Sequence, residues 1–61
     1  MNPFLIADDS DAKALWLTAL VEKSGIADTV HRARTTDDAK KLIDEHKPSY
    51  AFIDYEMPSE N

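Results

Sequence analysis

Sixty-one residues without a cysteine make one small domain at most, burying only about 60% of the surface its unfolded chain exposes, with no disulfide or thiolate metal site to brace it. Acidic residues outnumber basic ones twelve to seven, a formal charge of −5, which speaks against a broad nucleic-acid surface, and two histidines alone make a poor zinc site. No apolar run approaches the ~20 residues that cross a bilayer, and the N-terminus lacks the basic and long apolar segments of a secretory signal, so the expectation is a cytoplasmic protein that binds neither nucleic acid nor membrane.

Phe4-Leu5-Ile6-Ala7 is a short continuous apolar run, preceded by Pro3 and stopped by Asp8-Asp9-Ser10. Unbroken apolarity suits a strand covered on both faces. Ser10 is a good N-cap, and Asp11 sits where a helix dipole favours negative charge. Residues 12–24 contain no glycine or proline, and Gly25, the single glycine, stands where a left-handed C-terminal cap is expected. On a helical projection Ala14, Leu17, Leu20, Val21 and Ser24 share one face. Leu15, Trp16 and Ala19 fall outside it, which is more apolar surface than one sheet contact covers.

A short edge strand is expected at about residues 29–33, flanked and interrupted by Arg32 and Arg34. Thr35-Thr36-Asp37-Asp38 is a helix-start cluster. That helix carries Ala39, Leu42 and Ile43 on one face and stops before Pro48, which disfavours helix at the preceding residue. Tyr50-Ala51-Phe52-Ile53 reads as the last strand, followed by Asp54 and a loop closed by Met57-Pro58. Strands alternating with helices of this length imply parallel β-α-β units.

Asp8, Asp9 and Asp54 each fall just beyond a strand end. Ligands of an open parallel sheet bind outside the carboxyl ends of its strands, near a switch in strand order. If the first and third strands are neighbours, the three carboxylates meet there. Clustered carboxylates repel unless a cation joins them, and hard oxygen ligands suit magnesium, or manganese. A carboxylate beside such an ion can attack phosphorus and become an aspartyl-phosphate.

The segments Phe4-Leu5-Ile6-Ala7-Asp8-Asp9-Ser10 and Lys47-Pro48-Ser49-Tyr50-Ala51-Phe52-Ile53-Asp54-Tyr55-Glu56-Met57-Pro58 resemble the first strand with its acidic pair, and the third strand with its acceptor, of response-regulator receiver domains. The resemblance covers essentially the whole chain and implies a truncated flavodoxin-like α/β fold: a three-stranded parallel sheet of order 2-1-3 with one helix on each face. It implies that Asp54 is the phosphoacceptor, that Asp8, Asp9 and Asp54 bind Mg²⁺ (or Mn²⁺), and that the Glu56 backbone carbonyl completes the metal site. It implies a histidine kinase or phosphotransfer protein as partner of a longer parent in a two-component system, the chain itself not being an enzyme.

A receiver has five strands and five helices, so this sequence matches an N-terminal half, residues 1–61. The fourth strand's hydroxyl and the fifth strand's lysine, which hold the phosphoryl oxygens in the family, have no counterpart in it. A lasting aspartyl-phosphate is therefore not expected on these 61 residues alone. The alternative expectation is a non-catalytic, self-associating interaction module. Leu15 and Trp16 on the first helix and the third-strand edge are the surfaces expected to join a homodimer. His31, His46, Lys40-Lys41, Arg32 and Arg34 read as structural or solvated residues.

Overall fold

The computed structural model describes residues 2–54. Its elements are β1 (Pro3–Ala7), α1 (Asp11–Ser24), β2 (Thr29–Ala33), α2 (Thr36–His46) and β3 (Tyr50–Ile53). The strands form one parallel sheet of order β2-β1-β3, so the 2-1-3 expectation is met, with β2 at an edge. Pro3 opens β1, a position where a missing N–H is tolerated.

β1 is central because its sequence lets it be covered on both faces. Leu5, Ile6 and Ala7 are fully buried, and successive side chains of a strand point to opposite faces. Leu5 and Ala7 cluster with Ala33 of β2 and Ala39 of α2, with Leu42 packed against them. Ile6 faces the other way, beneath α1, whose buried residues are Ala14 and Val21. Each helix thus covers one face of the sheet.

The register places Phe4 opposite Val30 and Tyr50, and Leu5 opposite His31 and Ala51. Two ring contacts lie around the sheet. Phe4 and Tyr50 stack at 6.1 Å between centroids, and His31 stacks on His46 at 3.9 Å and 12°. The second contact ties β2 to the last turn of α2, so both histidines have structural roles.

The N-caps and the Gly25 cap are those the sequence suggests; the Lys47 cap of α2 is not. Ser10 Oγ accepts from the Lys13 N–H, and Thr35 Oγ1 accepts from the Asp38 N–H. Gly25 closes α1 in the left-handed region at φ 73°. Lys47 closes α2 in the same region at φ 49°, its N–H donating to the Ile43 carbonyl. A left-handed conformation costs an L-residue roughly 1–2 kcal/mol, but not glycine. Nothing lies within 4 Å of where a Cβ on Gly25 would stand, so backbone strain alone decides its substitution. Gly25→Ala should lower stability by about 1 kcal/mol, and Lys47→Gly should raise it by roughly half that. Urea melts of both variants check the opposite signs; two changes of the same sign would contradict the cap assignment.

The helical projection of α1 needs one correction. Leu20, placed with Ala14 and Val21 on the covered face, is 45% exposed. A sheet this narrow covers only the centre of that face. Ile43 of α2 is likewise exposed.

Candidate functional site

The sheet's hydrogen-bond ladder runs one residue past the ends of β1 and β3, and this fixes the acidic groups. Asp8 N–H donates to the Ala33 carbonyl at 3.0 Å, and Asp54 N–H donates to the Ala7 carbonyl at 2.9 Å. Asp8 therefore leaves a backbone pinned to β2 and Asp54 one pinned to β1, both at the carboxyl edge where parallel sheets bind ligands. Asp9 follows directly. One carboxylate oxygen each from Asp8, Asp9 and Asp54 lie within 4.8 Å of one another. The juxtaposition expected from the sequence is present. Glu56 and Met57-Pro58 lie outside the described residues.

The three carboxylates are not equivalent. Asp8 is fully buried, Asp54 partly, and Asp9 is exposed. Asp8 Oδ1 accepts from the Ser10 N–H at 2.9 Å. Its Oδ2 is buried and makes no hydrogen bond. The Lys13 ammonium stands 3.4 Å from that oxygen and 3.5 Å from Asp54 Oδ2, where it also donates a hydrogen bond. The Ser10 N–H holds the Asp8 carboxyl below its ordinary range, against the burial that raises it, and the positive charge of Lys13 adds to the lowering. The charge of Asp54, then that of Asp8, pushes the Lys13 ammonium above its ordinary value.

An arginine braces the same corner. Arg32 lies opposite Ile6 in register, and its Nε and Nη2 donate to the Asp8 carbonyl at 3.0 and 2.8 Å. Its Nη1 pairs with Asp11 Oδ1 at 3.0 Å, and Arg34 Nη1 pairs with the same oxygen at 2.6 Å. These guanidiniums hold the Asp11 carboxyl below its usual range, Arg32 first. Arg32 and Arg34 are therefore not merely solvated charge. Arg32 fixes the Asp8 backbone and links β2 to the first turn of α1. Lys13 and Arg32 are the two site residues that sequence reasoning missed. The signal for Lys13 was its place one turn after the acidic pair, on a helix whose N-terminus abuts the strand end.

The donor set fits a hard divalent cation. It offers three carboxylates, one of which has a buried oxygen without a hydrogen bond, and such ions take carboxylates together with retained waters. No helix among the described residues is long and apolar enough to cross a membrane. No protein-family model, curated protein or solved structure matches the chain.

Proposed function

We propose that this chain carries the acidic half of a receiver site, in which Asp54 accepts a phosphoryl group beside a magnesium ion held by Asp8, Asp9 and Asp54. The observation that carries this reading is the meeting of the three carboxylates at the carboxyl edge of the sheet; the two segments that resemble receiver motifs support it. Asp54 is the acceptor because its carboxylate stays partly open to solvent while its backbone is pinned to Ala7. Asp8, buried and anchored by Ser10 and Arg32, is a fixed anionic ligand. A bound magnesium would offset charge between the carboxylate and the incoming phosphoryl group. The donor in this reading is a cytoplasmic histidine kinase or phosphotransfer protein, and the chain is its substrate rather than an enzyme.

The test uses acetyl phosphate and magnesium, with borohydride to convert any acyl phosphate to the alcohol. A small yield of homoserine at position 54 is expected, dependent on metal and absent from Asp54→Asn. Intact mass should show no accumulated adduct, because the 61 residues lack the family's further phosphoryl-binding groups. Absence of homoserine at position 54 defeats the reading. A second reading, a self-associating module without phosphotransfer, is favoured by one observation: all four residues of β3 are exposed, Tyr50, Phe52 and Ile53 by 42–52%.

A further inference from the structure

We infer that Lys13 is a resident counter-cation of the acidic cluster, occupying the charge position a divalent ion would take and setting how tightly that ion binds. The inference rests on the metal-binding reading above and deepens it. Three carboxylates share this corner, and the cation nearest the buried Asp8 oxygen belongs to the chain itself. Lys13 Nζ lies between Asp8 Oδ2 and Asp54 Oδ2, at 3.4 and 3.5 Å. Asp8 Oδ2 has no hydrogen bond that would otherwise offset its burial, and the Lys13 ammonium is the cation that faces it. Neutralising that oxygen falls to Lys13 or to an ion that replaces it.

The architecture makes this placement specific. Lys13 lies in the first turn of α1, and its N–H is held by the Ser10 cap. Ser10 is in turn held by Asp8 Oδ1. The residue that caps the helix therefore also aims the lysine back over the strand end. The Lys13 side chain is nevertheless 58% exposed. Its ammonium is tethered by a flexible stem and can leave for water without unpacking the core.

An ion ligated by Asp8 and Asp54 stands beside the Lys13 ammonium and competes with it for the charge of these carboxylates. A divalent ion and an ammonium this close repel twice as strongly as two unit charges, and more so where water is excluded. Binding of the ion therefore carries the displacement of Lys13 with it. Metal-free, the chain keeps its acidic corner partly neutralised by its own lysine. Metal-bound, Lys13 is released toward solvent, beside the carboxylate proposed to receive phosphate. The same side chain is thus a competitor for the ion and a group that changes position when the ion arrives.

The experiment is a magnesium titration of the 61-residue chain and of Lys13→Met, followed by amide shifts of residues 8–10 and 54. The shift of the Lys13 ε-methylene is recorded in the wild type. Circular dichroism establishes that both chains are folded, and Lys13→Arg serves as a charge-retaining second variant. Lys13→Met is expected to bind roughly fivefold to tenfold more tightly, Lys13→Arg to stay near the wild type, and the ε-methylene to move in step with metal. Equal or weaker binding by Lys13→Met, with the wild type still binding, overturns the lysine's role and leaves the metal site standing. No saturable response at residues 8–10 and 54 in any of the three chains removes the site and the inference together.

Discussion

Leu5→Ala is expected to leave most of the chain unfolded at 25 °C. Leu5 is fully buried on the central strand and packs among Ala7, Ala33, Ala39 and Leu42. Its neighbours are mostly alanines, which cannot swing into the vacated volume. A leucine-to-alanine change in such a place costs about 2–5 kcal/mol. A domain of this size has total stability of roughly 3–9 kcal/mol at the usual 0.05–0.15 kcal/mol per residue, with small ones at the low end. The loss is of the same order as the whole. Leu15→Ala, at a side chain 73% exposed on α1, should change stability by no more than about 0.5 kcal/mol. Far-UV circular dichroism and urea melts of the two variants give the comparison. A Leu5→Ala chain that melts within a few degrees of the wild type would falsify the placement of the core.

The second large effect is on assembly. Among the described residues β3 is hydrogen-bonded to β1 along one side only, and its four residues are exposed. Leu15, Trp16 and Leu20 of α1 add exposed apolar surface, at 73%, 62% and 45%. An unpaired strand edge is a template for another strand, and identical chains most often satisfy such surfaces through a two-fold axis. The expected result is a homodimer joined through β3, α1 or both. Because association shifts folding by mass action, the melting temperature should rise with protein concentration. Phe52→Lys should abolish that rise, since an edge lysine opposes strand pairing. Sedimentation across a hundredfold range of concentration, beside thermal melts, decides it. A folded monomer with a concentration-independent melt ends this proposal and takes the self-associating reading with it.

Element order and caps were legible because they are local. Ser10, Thr35 and Gly25 signal their roles within a few residues, and the acidic pair after β1 and Asp54 after β3 follow from where apolar runs stop. The convergence of these carboxylates was legible only through strand order, which repeated β-α-β units restrict. What escaped depended on contacts between distant segments. Arg32 reads as one charge among several until the register sets it opposite Ile6, within reach of the Asp8 carbonyl. Lys13 carries no signal in the local sequence that names a partner, because Asp54 reaches it from forty-one positions away. Leu20 was misplaced because a projection finds a helix's apolar face but not how much of it a narrow sheet can cover. The Glu56 carbonyl lies outside the described residues.

The sheet order also governs how the chain gets folded. Each strand pair in β2-β1-β3 is parallel, and parallel neighbours cannot close as a hairpin. β1 meets β2 only after α1 has been looped over, and meets β3 only after α2 as well. No pair of strands can zip from a turn, so loop-closure entropy is incurred before any ladder bond offsets it. The strand richest in core residues is also the one whose partners are remote on both sides. Until both arrive, Leu5 and Ile6 are the sticky segment of an incomplete sheet. The folding barrier is therefore expected at closure around β1, the segment that later becomes the most protected and, until then, the one most open to aggregation.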